Sequence, residues 1–293
     1  MSNSTVKSVQ AKLKLFEQKM RSLEHQFKED LELAQKLQKL LIPQPLKSIP
    51  GLKCHVKYKS SVHAFNEYYD LFTSHKNSKL WLISSMTSSY GMNALLMQGI
   101  LYFQNRVKTE SLTNQENPAR ELFQHLLESL KHSKKEAQYR VSVFCLDLKS
   151  LKAELCSIGR LPPLYNNKTQ NQKAHFLFEQ SFKKNAALLN SHDPLKPIVE
   201  NNLLHQQWTV KPGEQLYFIS NGWNQTHNLS EITSILNQDL ELQSLQEKKE
   251  NGALNNLNQY MINIQKTIKK SRKPSDIAVI ALEINKNKLY LAS

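Results

Sequence analysis

Ala64-Phe65-Asn66-Glu67-Tyr68-Tyr69-Asp70-Leu71-Phe72 is the stretch on which the fold is decided, and three short segments follow it in order. They are Ser85-Met86-Thr87-Ser88-Ser89-Tyr90-Gly91, Ile219-Ser220-Asn221-Gly222 and Pro274-Ser275-Asp276-Ile277-Ala278. Taken singly, a Tyr-Tyr-Asp run or a Pro212-Gly213-Glu214 turn is an ordinary strand or turn feature of any α+β protein. Their order along the chain says more than any one of them.

Other landmarks precede these four or fall between them. Leu33-Ala34-Gln35 through Leu40-Leu41-Ile42-Pro43 precedes them, and Gly91-Met92-Asn93-Ala94-Leu95-Leu96 opens a helix after the second. Ile158-Gly159-Arg160-Leu161-Pro162-Pro163-Leu164 and Val210-Lys211-Pro212-Gly213-Glu214 lie before the third. Together these segments, over about residues 30 to 285, resemble the metal-dependent PPM serine/threonine phosphatases of the bacterial SpoIIE/RsbU branch. In that branch the patterns read Gly-Gly-Asp-x-Tyr-Asp, Asp-Val-x-Gly-His-Gly, Ala-Gly-His-x-Pro-Pro, Thr-Asp-Gly and Asp-Asp-Ile-Thr. Their aspartates hold two divalent cations.

Carried over position by position, the family's metal-binding aspartates fall on Glu67, Met86, Asn221 and Ser275, and Arg160 stands where the family has histidine. Mg²⁺ and Mn²⁺ require hard oxygen ligands in near-octahedral array. Met86 offers a soft thioether, Asn221 and Ser275 carry no charge, and Glu67 moves its carboxylate outward by one methylene. Asp70 and Asp276 are the remaining carboxylates of the motifs. Phe65 and Asn66 add bulk where the family has two glycines. The resemblance with these departures leads to the expectation of a degenerate site, collapsed around apolar side chains, with no metal, no cofactor and no catalysis. On that reading the chain is a pseudophosphatase rather than an enzyme, a dimeric regulatory or scaffolding module that binds a protein partner in bacterial signalling. The alternative is an active phosphoprotein phosphatase with an altered metal site around Glu67, Asp70 and Asp276.

Outward from the motifs, residues 9–41 carry an apolar seam at alternating steps of four and three: Val9, Leu13, Phe16, Met20, Leu23, Phe27, Ala34, Leu37 and Leu41, with Asp30 interrupting it. Without Gly or Pro, this predicts a helix of about 50 Å whose narrow seam asks for a partner helix. Self-pairing across a two-fold axis is expected, with packing against the rest of the chain as the alternative. The resemblance implies the same, a dimerising and signal-relaying helix. Pro43, Pro45 and Pro50 end it. The expected division is 1–45 for a coiled-coil dimerisation helix and 46–293 for the phosphatase-like domain.

Runs rich in β-branched and aromatic residues predict strands over 52–60, 80–86, 140–148, 152–159, 175–182, 215–220 and 277–284, with Lys149-Ser150-Leu151 closing a hairpin. Helical periodicity marks 92–108, 118–132, 230–242 and 254–269. This pattern is compatible with several α+β folds. The motif order selects the α+β PPM sandwich, in which two antiparallel sheets are flanked by helices.

At 293 residues and 40% hydrophobic content the chain can bury a sizeable core. No run of about 18 apolar residues spans a membrane, and the amino terminus lacks a signal-peptide pattern, so a cytoplasmic protein is expected. Cys54, Cys145 and Cys156 sit in apolar, strand-like contexts and read as reduced core thiols. The net charge of +14 is spread along the chain rather than concentrated in a nucleic-acid motif, which favours an acidic protein partner over nucleic acid.

Overall fold

Alternation within Leu80-Trp81-Leu82-Ile83 sends Leu80 and Leu82 to one side and Trp81 and Ile83 to the other, and all four are buried. A strand covered on both faces needs a layer above and a layer below. The computed structural model supplies them. It describes residues 3–41, 49, 51–59, 67–74, 78–87, 92–112, 115–131, 139–167, 175–178, 203–220, 233–234 and 276–284.

Helix α1 (Asn3–Leu41) is followed by β1 (Leu52–Lys59), β2 (Glu67–Ser74) and β3 (Lys79–Thr87). Helix α2 (Met92–Thr109) runs into a 3-10 turn (Glu110–Leu112), and α3 (Pro118–Lys131) follows. Then come β4 (Tyr139–Asp147), β5 (Lys152–Ile158), β6 (Leu164–Asn167), β7 (His175–Phe176), β8 (Leu204–Thr209), β9 (Glu214–Ile219) and β10 (Ile277–Ile284). The first sheet has the order β1-β10-β9-β6-β7 and the second β2-β3-β4-β5-β8, every pairing antiparallel.

Leu82, Phe144, Leu155, Leu216, Phe218, Ile280 and Leu282 meet in one core between the two sheets. On its other face the second sheet presents Trp81, Ile83, Val143 and Cys156 to Leu101 of α2 and to Leu122, Phe123 and Leu126 of α3. The expected α+β sandwich of two antiparallel sheets with flanking helices is therefore the observed architecture. Strands β2, β6 and β8 had no counterpart among the expected runs. β2 begins inside the opening motif, β6 is only four residues long, and β8 reads Leu-His-Gln-Gln-Trp-Thr, too polar to announce a strand. The expected helices at 230–242 and 254–269 lie outside the described residues, apart from Thr233 and Ser234, which are helical.

The hairpin at 149–151 forms as expected. Asp147 Oδ1 accepts the backbone N–H of Lys149 and Ser150, and Leu151 adopts a positive φ of 57°. Cys54, Cys145 and Cys156 are free, and burial pushes each thiol up to about 12. No described helix is long and apolar enough to cross a membrane.

Helix α1 packs against α2. Yet Leu13, Phe16, Met20, Leu23, Phe27 and Leu37 of its seam remain exposed, Phe16 and Phe27 by more than 60%. The side chains of Val9, Ala34 and Leu41 lie outside the described residues. Helix α2 exposes a stripe of its own, Leu96, Ile100, Phe103 and Val107, at steps of four, three and four.

Candidate functional site at one end of the sandwich

Register places three motif-bearing strands side by side. Glu67 of β2 is opposite Met86 of β3, and Met86 is opposite Arg140 of β4. Directly opposed residues share a face, and by alternation this row lies on the side of Tyr69, Leu82 and Phe144, which is the inner face. It forms the last inner-face row that spans β2, β3 and β4, beyond the apolar core. Next to β4, β5 ends at Ile158 opposite Val141. Gly159 then takes a φ of 70°, a conformation that costs glycine little, and the chain turns to present Arg160.

Arg160 is only 4% exposed, and its Nη1 donates to Glu67 Oε2 at 2.6 Å. A buried, charge-assisted pair of this length is among the stronger polar contacts a protein makes. Gln98 of α2 donates to the Glu67 carbonyl at 3.2 Å, fixing the start of β2.

The first sheet closes the site from the other side. Asp276, fully buried just before β10, accepts hydrogen bonds from the Tyr58 hydroxyl at 3.2 Å and the Glu67 backbone N–H at 3.3 Å. Ser220 Oγ, at the end of β9, accepts the Ala278 N–H at 3.0 Å and donates to the Asp276 carbonyl at 3.5 Å. Burial, then the charges of Asp276 and Glu67, push the Tyr58 phenol well above its ordinary value, so it stays a donor. Burial lowers Arg140, as does the neighbouring Arg160 guanidinium, while Glu67 acts in the opposite direction.

Of the residues singled out in the sequence, Glu67, Met86, Arg160 and Asp276 meet here. Asp70 does not. Three residues beyond Glu67 on the same strand, it faces the helices, where Arg106 Nη2 donates to its Oδ1 at 2.8 Å and stacks 3.9 Å over Phe72. Asn221 and Ser275, together with Phe65 and Asn66, lie outside the described residues. Arg140 and Tyr58 belong to the site and were missed. Each stands at the terminal, inward-facing position of an alternating strand, and that parity was the signal available.

The described residues do not suit a pair of hard divalent ions. Glu67 already spends a carboxylate oxygen on a guanidinium, its cross-strand neighbour is the Met86 thioether, and no three acidic, histidine or cysteine groups among the described residues converge on one point. Nor, among the described residues, is the site filled by apolar side chains, as the sequence led us to expect. Two carboxylates, two guanidiniums and a phenol occupy it, because burying Glu67 and Asp276 requires partners for both.

No family model matches the sequence, and no curated protein matches it. Solved structures do. The RsbU and RsbW domains of Rv1364c from Mycobacterium tuberculosis superpose with a TM-score of 0.57 at 13% identity, over 82% of this chain and 62% of that one. This chain thus spans less than two thirds of that protein's length. The PP2C phosphatase domain with a fragment of the regulatory domain of SpoIIE from Bacillus subtilis gives 0.52 at 13% identity, over 81% and 65%. The SiaA-PP2C domain of Pseudomonas aeruginosa gives 0.55 at 8% identity, over 79% and 86%.

These comparisons correct the expectation that the protein is not an enzyme. Solved structures that this chain resembles include PP2C phosphatase domains. The altered motifs also still deliver buried, hydrogen-bonded carboxylates to the end of the sandwich. With two antiparallel sheets flanked by helices and neighbours of this kind, the chain carries the fold of the PPM phosphatases.

Proposed function

We propose that the protein is a phosphoprotein phosphatase with an altered active site, acting on a protein partner in bacterial signalling. The observation that carries this reading is the meeting of Glu67 and Asp276, from different sheets, at one end of the sandwich. A phosphomonoester hydrolase needs a positioned carboxylate to orient a water and accept its proton, together with positive groups for the charge on the phosphoryl oxygens. Both kinds of group are present.

The phosphatase unit is residues 46–293, and residues 1–45 form a dimerisation segment. The exposed seam of α1 supports a homodimer, since a helix of 39 residues with an apolar stripe in water favours a second copy. The stripe on α2 extends the apolar surface on the helix that α1 touches. A net charge of +14 suits an acidic partner, and the setting is the cytoplasm.

Phosphate release from a phosphoserine peptide, measured with and without added Mn²⁺, tests the reading. We expect turnover by the native chain and a loss of at least about tenfold in Asp276→Asn. Release that is indistinguishable between the two would sink it.

A further inference from the structure

The two guanidiniums at the end of the sandwich have capacity that the protein itself does not use. Arg160 gives Nη1 to Glu67, but its Nε is buried with no hydrogen-bond partner. Leaving a buried donor unmade is costly, and more so on a charged group. Arg140, opposite Met86 on β4, forms no hydrogen bond or ion pair among the described residues, although it is half-buried. Two like charges drawn this close, with an unpaired donor on one of them, form an arrangement that an anion between them completes. Met86 contributes to this, because the uncharged side chain between Glu67 and Arg140 neither neutralises Arg140 nor repels an incoming oxyanion.

We propose that Arg140 and Arg160 form an oxyanion site that receives a phosphate monoester without a divalent ion. Arg160 occupies the place where a cation would otherwise balance Glu67, and it directs its free Nε–H at a phosphoryl oxygen. Arg140, the more accessible of the two, supplies the second contact and stands at the mouth. Asp276 turns Oδ2 to the Tyr58 hydroxyl and the Glu67 amide, which disperses part of its charge. The described charges here, Glu67 and Asp276 against Arg140 and Arg160, sum to zero. Recognition therefore rests on aimed donors rather than on net field, and it tolerates salt better than a lysine patch would.

This inference rests on the phosphatase reading for the identity of the ligand, but its test reads binding and not turnover. The full chain is titrated calorimetrically with O-phosphoserine in EDTA, and again with Mn²⁺. We expect saturable one-to-one binding in EDTA that Mn²⁺ leaves within about twofold, and that serine does not reproduce. Arg140→Gln should weaken it by about tenfold or more while melting at the native temperature, a loss worth about 1.4 kcal/mol. Arg160→Lys should also weaken it, and because this variant risks the buried pair with Glu67, Arg140→Gln carries the decision. Binding that appears only with Mn²⁺ would overturn the arginine site and leave the phosphatase reading standing. Binding in EDTA that Arg140→Gln leaves intact would overturn it as well, as would no binding under either condition. Turnover that fails while binding in EDTA succeeds would remove the phosphatase reading alone.

Discussion

Glu67 and Asp70 show how much depends on a single step of strand parity. Both are acidic and buried, they lie three residues apart, and they point to opposite layers. Asp70 is a structural ion pair with Arg106 whose second oxygen has no partner, and burial raises its pKa above the usual value despite Arg106 and Tyr68. The folded protein therefore holds that proton more tightly than the unfolded chain. Its contribution to stability is greatest at low pH and declines as pH rises from the usual aspartate value through the raised one. Asp70→Asn removes this decline. Urea titrations at stepped pH should show the variant gaining on the native protein across that window, then holding a constant difference. Arg106→Met does the reverse at neutral pH. It strands a buried carboxylate at a cost of about 3 kcal/mol, moderated because Arg106 is partly solvated, and acidification should shrink the deficit.

At the scale of elements, α3 is anchored by a residue far from it in sequence. Glu154 of β5 accepts the backbone N–H of Ala119 at 2.8 Å and of Arg120 at 3.3 Å, and its Oε1 also meets His205 Nε2 at 2.8 Å. A carboxylate at the first turn satisfies donors that the helix cannot and complements its dipole. Glu154→Ala should cost roughly 2 kcal/mol, and hydrogen exchange should localise the loss to the first turn of α3. Helix α1 has the opposite character, with its apolar side chains still in water. If a second copy covers them, Phe16→Asp with Leu23→Asp yields a monomer by light scattering at micromolar concentration, with the melting of the sandwich unchanged. A dimer that survives both substitutions would place the interface elsewhere.

For the whole molecule, the internal pairing of Glu67 with Arg160 balances that carboxylate without a metal ion. Thermal melting should then agree within about 2 °C in EDTA and in millimolar Mn²⁺, because a ligand that the folded state does not bind cannot stabilise it. A clear upward shift with Mn²⁺ would show that the carboxylates are free to coordinate.

Sequence alone determined the elements whose signal is local. The heptad seam of α1, the hairpin at Lys149-Ser150-Leu151, and strands such as β3 and β10 were legible because side-chain periodicity and turn chemistry act over a few residues. The order of short motifs determined the sandwich, and with it the end at which Glu67 and Asp276 would meet. Only the tertiary structure decided what they meet. Arg160 becomes the partner of Glu67 through the turn at Gly159, a contact between positions 93 residues apart, and register across β2, β3 and β4 sets Arg140 in the same row. Asp70 leaves the site for the same reason, since a pleat assigns alternate residues to opposite layers. A motif records which residues are near in sequence. The energy of a buried charge depends on what the other strands bring to it, and only the assembled sheets supply that.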